Sequence, residues 1–205
     1  MCIRDRYISH LDMNRCMQRA IKRSGLPLWY TEGFNPHIYL TFLQPLSLGF
    51  ESRCEIMDFK MEEEVPLEEI KERLNDSLPE GIHVSRVALA GAKAKEIAFG
   101  VYDILFPEMA SAEGLVKELL GREPIEVVKK TKKGEKVIDL KPLIRLDRCE
   151  GAGEDLLLGL TLPSSQENTV NPSLVCQYLK ANGFAFEAMQ VTRTRVLKAD
   201  GTDFS

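Results

Sequence analysis

Ser9-His10-Leu11-Asp12-Met13-Asn14-Arg15-Cys16-Met17-Gln18-Arg19-Ala20-Ile21-Lys22-Arg23-Ser24-Gly25-Leu26-Pro27 predicts a short basic amphipathic helix with its own start and stop signals. Met13, Cys16, Met17, Ala20 and Ile21 recur at i, i+3, i+4, i+7 and i+8, an apolar stripe at the helical period. Ser9 is a good N-cap, and Asp12 three residues on forms a short-armed capping box at the positive end of the helix. Gly25 and Pro27 stop it. Arg15, Arg19, Lys22 and Arg23 fall together on another face. Cations at i,i+4 repel by a few tenths of a kcal/mol, roughly, so a stacked row stabilises nothing by itself and points to a polyanion partner. A solvated helix face is the competing explanation.

Outward from this helix, Ile38 to Phe42 is β-rich, and Gln44 to Gly49 is a Pro/Gly connection. Residues 53–61 alternate loosely as a strand, and 65–78 predict a helix with Leu67, Ile70, Leu74 and Leu78 inward. Residues 82–89 give another strand and 91–95 a linker. Beyond it come a strand over 96–106 and a helix over 111–120 with Leu115, Val116, Leu119 and Leu120 inward. A hairpin of 125–130 with 136–140 follows, its second arm continuing to Ile144 and Leu146. Then come a strand over 155–162, a helix opened by Asn171-Pro172 and closed by Asn182-Gly183, and a strand within 184–197. The expected class is α+β: two tandem ferredoxin-like sandwiches with antiparallel sheets, over 1–90 and 96–205. The first unit lacks most of the strand before its first helix, of which Tyr7-Ile8 remains. Met1 to Arg6 show no strand periodicity and read as a non-native start.

Composition bounds the function. The chain has 205 residues, 44% of them apolar, and a net charge of −4, which argues against a general nucleic-acid coat. Charge is segregated: residues 1–54 carry seven Arg/Lys and four Asp/Glu, whereas 55–80 carry three and ten, so any anion site is a local patch. Five cysteines without CxxC spacing argue against a disulfide framework or a self-contained metal site and fit a reducing cytoplasm. Cys16 and Cys176 fall on apolar helical faces as small core residues. No run approaches the roughly 18 apolar residues of a membrane span. Gly-rich phosphate loops, HExxH, Ser-His-Asp constellations and cluster-binding cysteine triplets are absent from the sequence, so the chain leans away from catalysis.

The candidate RNA- or anion-binding residues are Arg15, Arg19, Lys22, Arg23, Asn35, His37, Lys130, Lys132, Lys133, Arg193 and Arg195. His37 follows a rigid Phe34-Asn35-Pro36 turn, in the loop context where binding residues gather, and His10 sits in the first turn of the basic helix. These two imidazoles are the only catalytic candidates, as general acid or base near neutral pH. Trp29, Tyr30, Phe34 and Tyr39 interleave with cations as base-stacking candidates, at least two of them expected in the core. The lysines of the hairpin make a cationic clamp or guard an edge. Arg193 and Arg195 alternate on the last strand and are expected to share a face. No metal or cofactor is expected.

Ser9-His10-Leu11-Asp12, Arg15, Arg19-Ala20, Gly25-Leu26-Pro27-Leu28, Tyr30, Gly33-Phe34-Asn35-Pro36-His37, Pro45-Leu46, Gly49 and Glu51-Ser52 together resemble the radical-SAM-linked family. This is a bacterial domain of unknown function found beside, or fused behind, a cobalamin-binding-domain radical SAM protein. The Lys-Gly-Glu-Lys hairpin with Val137-Ile138-Asp139-Leu140-Lys141-Pro142 is similar to its second half. Two departures stand out: the family's usual Asn-Pro-His-Pro is Asn35-Pro36-His37-Ile38, and a strand lead-in before the Ser-His-Leu-Asp motif is absent. The resemblance implies a radical SAM partner and no reaction of the chain's own, since it lacks the cysteines that hold the partner's cluster. The expected role is an accessory module that binds or presents tRNA or rRNA. The alternatives are a metal-independent endoribonuclease using His10 or His37, for which the doubled fold resembles the repeat-processing endoribonucleases of CRISPR systems, and a pure protein-interaction subunit docking the radical SAM partner.

Overall fold

The structure, a computed structural model, describes residues 1–3, 7–131 and 134–204. It is a mixed α+β chain that divides into two units, Met1–Ala94 and Lys95–Phe204.

The first unit runs β1 (Cys2–Ile3), α1 (His10–Arg23), β2 (Leu40–Phe42), β3 (Phe50–Ser52), β4 (Met57–Phe59), α2 (Leu67–Ser77) and β5 (Ile82–His83). β5, β1 and β3 lie side by side in that order, all antiparallel, with Ile3 opposite both Ile82 and Ser52. The strand before the first helix is therefore Cys2–Ile3 and not Tyr7-Ile8; with two residues it is too short to show a period of two, and it is fixed by neighbours on both sides. Arg4 to Arg6 lie outside the described residues. β3 falls between the predicted connection over 44–49 and the predicted strand over 53–61, at residues assigned to neither. β2 and β4 pair only with each other, Leu40 opposite Phe59, as a separate antiparallel ribbon.

α1 buries Met13, Met17, Ala20 and Ile21, the expected stripe, with Cys16 half-buried beside it. α2 buries Ile70 and Leu74, whereas Leu67, in its first turn, stays exposed. One cluster joins Ile21, Leu26, Leu28, Ile38, Ile70, Leu74 and Val84, and a second joins Ile3, Met13, Met17, Phe42 and Ile82. Both clusters take α1 residues, so the apolar stripe organises the unit, at about 1.5–3 kcal/mol for each large side chain removed from water.

The second unit runs β6 (Ile97–Phe106), α3 (Glu113–Gly121), β7 (Glu126–Thr131), β8 (Gly134–Asp139), β9 (Arg145–Ala152), β10 (Asp155–Pro163), α4 (Pro172–Ala181) and β11 (Gln190–Lys198). β7 and β8 form the predicted hairpin. β9 is not a continuation of its second arm: the chain turns at Lys141–Leu143 and β9 pairs with β10. The order β11-β6-β10-β9 is antiparallel throughout. With the hairpin set aside, it is a strand-helix-strand-strand-helix-strand run laid out last, first, third, second. Leu156, Leu158, Leu160 and Leu162 of β10 are fully buried, and Phe106, Phe184 and Phe186 stack edge-to-face or tilted with centroids 4.8–5.2 Å apart. α4 is capped by Asn171, whose side chain accepts from the Ser173 N–H, with Pro172 in the first turn as predicted.

Candidate functional site

The start of α1 is built as its sequence implies. Ser9 Oγ accepts from the Asp12 N–H at 3.1 Å and donates to Asp12 Oδ2 at 2.7 Å, while Arg15 Nη1 donates to Asp12 Oδ1 at 3.2 Å. The Ser9 hydroxyl, and secondarily Arg15, hold the Asp12 carboxyl below its usual range. Arg15, Arg19, Lys22 and Arg23 are all exposed. At 1.5 Å per residue the row spans about 12 Å.

The four differ in what already engages them. Arg15 is paired with Asp12 in water, which costs little to exchange. Arg23 Nη2 donates to the Ser77 carbonyl at 2.7 Å, at the end of α2. The Lys22 ammonium lies 5.9 Å from the centre of the Tyr30 ring. Arg19 makes no hydrogen bond or ion pair among the described residues.

Tyr30 leads directly into the loop that carries His37. Tyr30 and Ile38 form an antiparallel bridge, the Thr31 N–H donates to the His37 carbonyl at 2.9 Å, and the His37 N–H donates to Thr31 Oγ1 at 3.1 Å. Residues 31–37 are thus a closed loop, with Gly33 at φ 127°, a conformation that L side chains rarely adopt. His37 Nδ1 is 3.1 Å from the Asn35 carbonyl and 3.0 Å from Thr31 Oγ1. A carbonyl only accepts, so Nδ1 carries the proton in the neutral ring and Nε2 is left as an exposed acceptor. Asn35 is exposed in the same loop.

His10 is placed differently. Its ring packs edge-on against Phe42 at 5.5 Å, and Nε2 lies 3.3 Å from Asn14 Nδ2, from which it accepts. That nitrogen, the acceptor of the neutral ring, is occupied within the helix, whereas no partner among the described residues occupies the acceptor nitrogen of His37.

The aromatic expectation is corrected. None of Trp29, Tyr30, Phe34 and Tyr39 belongs to the core: Phe34 is fully exposed, Tyr30 and Tyr39 are exposed, and Trp29 is half-buried. Trp29 meets Tyr39 edge-on at 6.4 Å and is covered by the Lys60 ammonium at 4.1 Å from its ring centre. Lys60 is not recognisable in the sequence, where it sits inside the acidic run; the antiparallel pairing of 27–29 with 60–62 brings it to Trp29, whose backbone N–H donates to the Lys60 carbonyl.

In the second unit, the expectation that Arg193 and Arg195 share a face fails. The register skips at Thr194, so Arg193 stands opposite Tyr102 and Arg195 opposite Val101. Such a bulge sends the two side chains to opposite faces. Arg193 is 3% exposed, and Arg195 is exposed with its Nε donating to Asp203 at 2.8 Å. Lys132, Lys133 and the side chain of Lys130 lie outside the described residues. Lys129 is committed to the Thr169 carbonyl at 2.8 Å. Among the described residues no group of three or more His, Cys, Asp or Glu is placed to hold a metal ion, and no helix is long and apolar enough to cross a membrane.

Residues 4–172 match the family described as "Uncharacterized protein conserved in bacteria (DUF2344)". The chain belongs to DUF2344. No curated protein matches it. The stretch shared with DUF2344 takes in α1, the loop 31–37 and the hairpin, and reaches the first residue of α4.

Proposed function

We propose that this DUF2344 chain is a non-catalytic accessory module that binds RNA, tRNA or rRNA, through the basic row of α1 and the loop 31–37, and presents it to a cobalamin-binding-domain radical SAM enzyme in the bacterial cytoplasm. The observation that carries the RNA part is the contact of Lys22 with Tyr30 at 5.9 Å, which joins the end of the cation row to the loop bearing Asn35 and His37. Cations that bind phosphates beside exposed aromatics and an imidazole acceptor make a recurrent RNA-binding surface. Arg19, without a partner among the described residues, gains most from a phosphate. The radical SAM partner rests on the motif resemblance between Ser9 and Ser52. A tandem ferredoxin-like fold accompanies this reading. Its support is the β11-β6-β10-β9 order of the second unit; in the first unit β5-β1-β3 follows the same order, while β2 pairs outside it.

The test is RNA binding as a function of salt. Each phosphate neutralised contributes about 0.7 to the log–log slope for single strands. R15A/R19A is the variant of choice, because neither side chain holds α1 to another element. Its slope should fall by roughly 1 to 1.4 with weaker binding, and an unchanged slope and affinity removes the proposal. Incubation of structured RNA in EDTA separates the nuclease alternative: cleavage lost in H37A would replace the module with an enzyme. Capture of the radical SAM protein that survives nuclease treatment, with no RNA affinity, would favour the protein-docking subunit.

A further inference from the structure

The loop 31–37 does more than position His37. Phe34, at its tip, is 107% exposed relative to a reference extended residue, so the ring touches almost nothing of its own chain. It follows Gly33 at φ 127° and precedes Asn35-Pro36 in a loop closed by the Thr31–His37 hydrogen bonds and the Tyr30–Ile38 bridge. A large apolar ring held fully in water on a closed loop contributes nothing to folding, and the ordering cost of the loop backbone that carries it has been met before any ligand arrives. Tyr30 and Tyr39, on the segments that enter and leave the loop, are exposed as well. Lys22 stands by Tyr30, with Arg19 three residues earlier on α1, Lys60 covers Trp29 beside Tyr39, and the loop's one acid is Glu32.

We propose that Phe34 is a stacking platform for an unpaired RNA base, with the adjoining phosphates on Arg19 and Lys22 and the His37 Nε2 acceptor facing a donor of the same nucleotide. This deepens the RNA-binding reading and rests on it. Bases inside an A-form duplex have their faces covered by their neighbours, so a ring on a loop tip engages a base splayed out of a loop, bulge or end. Stacking is tolerant of base identity, because every base has a π-face. The RNA ribose 2′-OH and the exocyclic amines are donors that suit a neutral Nε2. Glu32, the loop's one acid, repels phosphate. The substrate class is therefore structured RNA presenting a single-stranded element, and not uniform duplex.

The experiment compares a labelled RNA hairpin with an open loop and a blunt duplex of the same stem, titrated by anisotropy with the full chain. The unmodified chain should favour the hairpin. F34A should lose about tenfold on the hairpin and nothing on the duplex. F34W should retain hairpin binding, with its added indole emission quenched by the loop RNA, and F34L should bind like F34A. Phe34 makes no core contact, so these variants should keep the unmodified circular dichroism spectrum. Equal hairpin binding by F34A and the unmodified chain overturns the platform while leaving the cation row standing, as does full retention by F34L. Failure of the unmodified chain to bind either RNA removes the underlying reading, and the platform with it.

Discussion

Replacing Arg73 with alanine is expected to destabilise the first unit by about 2 kcal/mol. Arg73 belongs to α2, yet its guanidinium closes the end of α1: Nε donates to the Ser24 carbonyl at 3.0 Å and Nη2 to the Gly25 carbonyl at 2.7 Å. Its third contact, Nη1 to Glu69 Oε1 at 3.1 Å, is an exposed pair at i,i+4. The Glu69 pair contributes at most about 0.5 kcal/mol. A hydrogen bond from a charged donor contributes roughly 1.5–3 kcal/mol when desolvated, and these two lie at a site where the Arg73 side chain is 35% exposed. The bond to the Gly25 carbonyl is exposed, whereas the bond to the Ser24 carbonyl is half-buried, so about 1.5 kcal/mol is assigned to Ser24 and the remainder to Gly25 and Glu69 together. Trp29 is the chain's single tryptophan and lies in the first unit, so urea unfolding followed by its fluorescence reports that unit. R73K serves as the control. A lysine keeps the charge but has no fork to reach both carbonyls, and should recover less than half of the loss. A loss below about 0.5 kcal/mol in R73A, or full recovery in R73K, would refute the view that geometry rather than charge closes α1.

Burial holds the Asp58 carboxyl above its usual range. Its ionisation is thus harder folded than unfolded, and stability falls as pH rises from the ordinary carboxylate range through the raised value, then stays low at neutral pH. D58N should therefore raise the Trp29-reported midpoint at pH 7 and lose that advantage once the solution is acidic enough to protonate the unfolded carboxyl; equal midpoints at pH 7 would contradict the assignment. The Cys176 thiol, within α4, is pushed up to about 12 by burial, and burial raises Cys149 as well. Alkylation of the native chain at pH 8, read by peptide mass spectrometry, should reach half-buried Cys2, Cys16 and Cys54 well before either. Labelling of Cys176 as fast as Cys54 would show that α4 opens on the alkylation timescale.

Long periodic segments were legible in the chain. Met13 to Ile21, Ile70 with Leu74, and Asn171 to Leu179 announce α1, α2 and α4 through spacing and caps, because a helix repeats its buried face over several turns within one stretch of sequence. The exposure of the four α1 cations follows from the same geometry, as the face opposite a buried stripe. The helix expected over 111–120 starts two residues later, at Glu113, after a tight turn at Ala110–Ala112; Val116, Leu119 and Leu120 are buried as expected and Leu115 is exposed. The short strands were not legible. Cys2–Ile3 and Phe50–Ser52 have two and three residues, too few for alternation to register, and only partners distant in sequence make them strands.

The site shows the same division. Sequence alone established that a cationic helix face and a Gly-Phe-Asn-Pro-His turn exist, because helical period, caps and turn formers act over a few residues. Tertiary structure decided the rest. It brought Lys22 to Tyr30, occupied His10 with Asn14 and Phe42, left Phe34 bare in solvent, laid Lys60 over Trp29, and used a one-residue bulge to part Arg193 from Arg195. Those outcomes depend on which segments meet in space and in what register, and a local pattern of residue types does not encode either.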